Sequence, residues 1–115
     1  MAQLNVRKSL ALGQVTKLND SAVTGTGTLH FSVPVHTNSE GDFSAIFQAV
    51  GTLGSLSADL ECSLDGGNTF NKLVTGAVVA ATPLKVQTPI FSGGIIWQLN
   101  ITAGPRSADF YVAVN

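Results

Sequence analysis

The sequence predicts an all-β fold, an antiparallel β-sandwich of about eight strands, and three observations carry that expectation. Apolar and polar residues alternate over short runs from one end of the chain to the other. Gly, Pro, Asn and Asp punctuate the runs, and no window keeps apolar residues at helical spacing for three turns. At 115 residues the chain is long enough for one core and too short for two.

The first eighteen residues mix Leu4, Val6, Leu10, Leu12, Val15 and Leu18 with Arg7, Lys8 and Lys17. They read as an edge strand of the sandwich, from about Leu10 to Val15, or as an arm lying on a neighbouring molecule. Residues 19–27 (NDSAVTGTG) form a Gly- and Thr-rich join that separates this segment from a main body over 19–115. A strand from Thr28 to Val35 places Phe31, Val33 and Val35 on one face, and the polar loop His36 to Asp42 follows it. Between Phe43 and Val50 the inward set is Ala45, Phe47 and Ala49. From Ser57 to Leu64 the set Ala58, Leu60, Cys62 and Leu64 opposes Asp59, Glu61 and Ser63, which are expected to meet water or a polar partner. Strands over Thr69 to Val74 and Lys85 to Phe91 come next. The strand Ile95 to Thr102 turns Trp97, Leu99 and Ile101 inward, and Ala108 to Val114 turns Phe110, Val112 and Val114 inward, leaving Tyr111 as the more exposed aromatic.

Between two of these strands Ser63, Asp65, Gly67, Thr69 and Phe70 spell SxDxGxTF, the pattern of an Asp-box hairpin. The Asp carboxylate is expected to accept backbone N–H groups of its own turn, Gly to supply positive φ, and Phe70 to bury beneath it. The role is structural. One copy in a short chain excludes a propeller, and two arginines, Arg7 and Arg106, cannot build the three-arginine clamp of sialidases.

Composition excludes several function classes. Hydrophobic residues are 44% of the chain and charged residues 11%, so a surface this poor in charge predicts cover by a partner. The formal net charge is -1, and Arg7, Lys8, Lys17, Lys72, Lys85 and Arg106 are scattered, so no basic stripe invites nucleic acid. No stretch approaches the length of a membrane-crossing helix, and the amino terminus lacks the apolar core of a secretory signal. Synthesis and folding in a cytosol are therefore expected. The lone cysteine, Cys62, reads as a buried inert thiol.

No catalytic constellation emerges, so the chain is not expected to be an enzyme, and no cofactor is expected. The two imidazoles, His30 and His36, lie near no nucleophile elbow. A metal site from His30, His36, Glu40 and Asp42 lacks a recognised ligand spacing, and solvated loop residues are the preferred reading. Asp59 and Glu61 share one strand, whereas a glycosidase pair stands across a cleft. The Gly residues punctuate strands, so none forms a phosphate loop.

Three segments, TGTGTLHFSVPV, SADLECSLDGGNTFNKL and the closing pair IIWQLNIT and ADFYVAVN joined by AGPRS, resemble small phage virion proteins. Such modules are β-sandwiches or jelly rolls that serve as head decoration or cement proteins, or as parts of tails and fibres. The resemblance implies a jelly-roll-like sandwich on the capsid surface of a virion, made in the host cytoplasm. It implies a major capsid protein as partner and a trimeric or dimeric homo-oligomer, with no nucleic acid and no membrane bound. Contact is expected through residues 1–18, including Leu4, Val6, Arg7, Lys8 and Leu10, and through Asp59 and Glu61. The alternative is a tail, fibre or carbohydrate-binding module that grips host polysaccharide with Tyr111 or Trp97.

Overall fold

A computed structural model of the chain describes residues 2–11, 13–33, 44–79, 81–87 and 95–114. Among them the alternating runs form nine strands: β1 (Lys8–Ser9), β2 (Val15–Lys17), β3 (Gly27–Ser32), β4 (Ser44–Thr52), β5 (Ser57–Ser63), β6 (Asn71–Val78), β7 (Leu84–Gln87), β8 (Ile96–Ala103) and β9 (Ser107–Val114). One sheet runs β1-β3-β8-β5-β6 and the other β2-β9-β4-β7. The antiparallel pairs β5–β6, β4–β7, β3–β8 and β2–β9 are nested one outside the next. That nesting, divided between two packed sheets, is the jelly-roll winding.

Period-2 alternation explains which side chains meet. In the five-stranded sheet Phe31 pairs with Trp97 and Trp97 with Cys62, while Leu29 pairs with Leu99 and Leu99 with Leu60. The facing sheet answers with Phe47 beside Val112 and Ala49 beside Phe110. Phe31 and Phe47 touch across the sandwich with ring centroids 6.0 Å apart. Trp97, Phe31, Phe47 and Phe110 head the fully buried side chains. Each contributes about 1.5 to 3 kcal/mol by burial. Trp97 is thereby removed from the surface.

The strand expected over Leu10 to Val15 is replaced by two shorter ones. β1 joins the five-stranded sheet by parallel pairing of Lys8 with Phe31, and β2 joins the other by pairing Val15 with Ala113. Between them the chain crosses the rim of the sandwich, and Gly13 takes φ +73°, a conformation other residues resist. Leu10 and Leu18 are buried on either side of the crossing. The amino-terminal segment therefore closes an edge of each sheet. It lies close on the start of β3, where a Cβ on Gly27 would stand 2.6 Å from Leu4.

Two buried asparagines make that closure. Asn5 Nδ2 donates to the carbonyls of Leu18 at 2.7 Å and His30 at 3.1 Å, and His30 N–H donates to Asn5 Oδ1 at 2.9 Å. Asn19 repeats the device on the other sheet: Phe110 N–H donates to its Oδ1 at 2.8 Å, and its Nδ2 donates to Ser21 O and Asp109 Oδ1. Where no strand residue faces β3 or β9, a side-chain amide supplies the missing donor and acceptor. Asp20 adds a charged clasp, accepting from Val6 N–H at 2.8 Å and from the Lys8 ammonium.

Two expectations about the hydrophobic set change. Leu64 does not share the inward face of Leu60; it is 82% exposed because β5 ends at Ser63 and the turn begins. Val35, Phe43, the loop His36 to Asp42 and the segment from 88 to Phe91 lie outside the described residues.

Substituting Asn5→Ala is expected to lower the free energy of unfolding by about 2 to 3 kcal/mol, since a buried N–H loses its acceptor and two carbonyls lose their donor. Urea denaturation measures it. Asn5→Leu is not expected to recover the loss, because added apolar volume leaves the same groups unpaired.

Candidate interaction surface

The Asp-box joins β5 to β6, the innermost pair of the roll. Ser63 Oγ donates to Asp65 Oδ1 at 2.7 Å, and that oxygen also accepts the N–H groups of Asn68 at 3.2 Å and Thr69 at 2.9 Å. Gly67 N–H donates to Ser63 Oγ at 2.9 Å, and Gly66 and Gly67 take φ of +79° and +98°. The Ser63 hydroxyl and then the Thr69 N–H hold the Asp65 carboxyl down at about 2. All five residues of the pattern thus sit in or beside the turn, with roles in its shape, and Asp65 and Thr69 also line a shallow hollow of about 240 Å³ with Cys62, Leu64 and Asn71.

This hairpin turns back over the outer face of the five-stranded sheet. A Cβ on Gly67 would lie 3.7 Å from Ile96 on β8. Phe70 meets the His30 ring edge-on at 5.3 Å, and because β5 and β8 separate β6 from β3, the contact reaches across both. Phe70 is half-buried here, packed on an imidazole instead of on the core.

Beneath that cover lies a polar row. His30 pairs with Gln98, Gln98 with Glu61, and Glu61 with Lys72. Glu61 accepts from Gln98 Nε2 at 2.6 Å and from Asn100 Nδ2 at 3.0 Å. Asp59 accepts the Gly76 N–H at 3.0 Å and lies 3.3 Å from Lys72 Nζ. His30 Nε2 is 3.0 Å from Thr28 Oγ1, and burial, with the charge of Arg7 behind it, pushes the imidazole below its ordinary range.

The expectation that Asp59 and Glu61 form an exposed charged face is corrected here. They are 5% and 9% exposed. Parity does turn them out of the sandwich core, but Gln98 and Asn100 bond Glu61 while the Gly76 N–H and Lys72 meet Asp59, and buried carboxylates persist because each is bonded. Cys62 is buried on the opposite side of β5, and burial raises its thiol. Among the described residues no group of three His, Cys, Asp or Glu could hold a metal ion; His36, Glu40 and Asp42 lie outside them.

The outer face of the four-stranded sheet has the opposite character. Register sets Val15, Ala113, Ile46 and Lys85 in one row across β2, β9, β4 and β7, with Lys17, Tyr111 and Gln48 in the next. Val15 is 70% exposed, Ile46 45% and Val50 47%, and Tyr111 is half-buried. Two shallow hollows lie here. One, of about 230 Å³, is lined by Ser44, Ile46, Lys85, Ala113 and Val114; the other, of about 250 Å³, by Val15, Ile46, Gln48, Pro83, Tyr111 and Ala113. Lys17 lies 3.7 Å from Asp109, whereas Lys85 has no acid partner among the described residues.

Of the amino-terminal residues expected at a contact, Val6 and Arg7 are exposed, Lys8 is held by Asp20, and Leu4 and Leu10 pack inward. Sequence alternation located Ile46, Val50 and Tyr111 opposite the core, but neither Val15 nor Lys85 carried a signal of belonging to that face. A scan against protein-family models finds none that matches the chain, and a search of curated proteins finds no match.

The Asp65 turn predicts an acid response with a definite sign. Its folded pKa lies below the ordinary 3.8, so its contribution to the hairpin is complete above that value and is lost as pH falls through about 2. The amide resonance of Thr69, followed by NMR, is expected to titrate with a midpoint near 2 and to stay flat in Asp65→Asn. A midpoint near 3.8 would show that the carboxylate is not held by the turn.

Proposed function

We propose that this protein is a structural virion component without catalytic activity, a decoration or cement protein that binds the outer surface of a phage head and stabilises the shell. The observation that carries the reading is the open outer face of the four-stranded sheet, where Val15, Ile46 and Val50 stand exposed in a chain with only 11% charged residues. Monomeric surfaces rarely leave such a patch bare, and a partner's cover offsets the cost. Part of the opposite outer face is covered by the chain's own hairpin, at His30 and Ile96, which supports taking this one as the docking side. Jelly rolls recur in viral capsid proteins, which raises the expectation without deciding it.

In this reading the partner is the major capsid protein, and copies assemble as dimers or trimers on the shell. A contact of standard size buries roughly 1,600 Å² in total. Repetition over many sites then gives strong attachment from modest individual affinity. The protein would be made in the host cytoplasm and reside on the virion.

A second reading, a tail or fibre module that binds polysaccharide, draws on one observation. Tyr111 lies half-exposed in a hollow beside Gln48, where an aromatic face and an amide could meet a sugar ring. With Trp97 fully buried, Tyr111 would have to serve that role without it.

Mixing the purified protein with shells that lack it, and counting copies bound per particle, tests the choice. Saturation at high copy number is expected, with loss of binding in Ile46→Asp combined with Val50→Asp while thermal unfolding stays cooperative. Absence of binding to any shell, together with glycan binding that Tyr111→Ala removes, would replace the first reading by the second.

A further inference from the structure

We infer that the open face of the four-stranded sheet receives an extended segment of a different protein, one that carries apolar side chains at alternate positions and a carboxylate beside the first of them. The inference rests on the reading that this face is the contact with the shell, and it specifies the chemistry of what is bound there.

Spacing is the first support. The two hollows share Ile46 and Ala113, which form the ridge between them. Along β4 one hollow is bounded by Ser44 and Ile46 and the other by Ile46 and Gln48, so they are offset by a two-residue step of the strand. That step is roughly 6.6 to 6.8 Å, the distance between side chains at alternate positions of any extended chain. A strand laid along β4 and β9 therefore places two successive same-side residues into the two hollows. At about 230 and 250 Å³, each hollow suits one aliphatic or aromatic side chain.

Charge is the second support, and it selects the kind of chain. Lys85 lines the first hollow and has no acid partner among the described residues. Among the described residues the acid on this face is Asp109, which is already engaged by Lys17 and by Asn19 Nδ2, so the described face of a second copy offers Lys85 no free carboxylate. The counter-charge is therefore assigned to another protein, next to the residue that fills the first hollow. Such a pairing sets register and direction more than raw affinity.

The probe is a capped threonine-based peptide with two leucines at alternate positions and an aspartate beside the first, titrated into the isotope-labelled full chain. Saturable shifts are expected at the amides of Ile46, Lys85, Tyr111 and Ala113. Replacing the aspartate by lysine is expected to weaken binding roughly tenfold. Lys85→Glu should reverse that preference, and placing the leucines next to each other should abolish binding. Shifts absent, located elsewhere, or indifferent to leucine spacing and to charge overturn the inference. The shell assay separates the two levels. Shell binding that depends on Ile46 with no peptide response sinks this inference and spares the decoration role, whereas a peptide response without shell binding does the reverse.

Discussion

The structure depends on one constraint, the closure of the innermost antiparallel pair by the Asp65 carboxylate. Four pairs are nested around the β5–β6 turn, and within its own sheet β5 pairs onward with β8 and β8 with β3, while β4–β7 and β2–β9 belong to the facing sheet. A slip of one residue would turn Leu60 and Cys62 outward and Asp59 and Glu61 into the sandwich. Ser63, Asn68 and Thr69 all bond one carboxylate oxygen, which leaves the turn a single arrangement. The same turn places Gly67 over Ile96 and Phe70 against His30. A local hydrogen-bond cluster thus shapes both the innermost turn of the roll and the cover of one outer face.

The outermost pair raises a different problem, because winding leaves bare edges at β3 and β9. Backbone pairing there is brief: β1 has two residues and β2 three. Asn5 and Asn19 complete it by presenting an amide donor and acceptor where a strand would present its peptide group. The segment packs as part of the sandwich, since Leu10 and Leu18 belong to the core and Asn5 joins β3 to the carbonyl of Leu18. Exposed edges template association with other chains, and this closure suppresses it.

The two outer faces then diverge. One carries a row of buried polar side chains whose carboxylates are bonded within the chain, with a hairpin packed over Ile96 and His30 beside them. The other keeps valine, isoleucine and tyrosine against water, with Lys85 beside them and no acid partner for it among the described residues. Burying carboxylates while exposing aliphatic side chains inverts the usual economy of a soluble domain. That inversion becomes favourable overall where a partner covers the apolar side.

Parity made most of the core legible from sequence: Phe31, Ala45, Phe47, Leu60, Trp97, Leu99, Phe110 and Val112 were all placed correctly, because alternation is a local property of an extended chain. The SxDxGxTF turn was legible for the same reason, since its bonds run between residues four apart or fewer. Parity says which side of a strand a residue occupies, not what lies over that side. Asp59 and Glu61 were therefore assigned the right face and the wrong environment. The roles of Asn5 and Asn19 at the strand edges carried no local signal, as the β3 and β9 residues they bond, His30 and Phe110, stand 25 and 91 residues away. The sequence by itself determined strands, faces and the central hairpin. Which edge the amino-terminal segment seals, and which outer face stays open, were decided by tertiary structure, because both depend on contacts between residues that only the completed roll brings together.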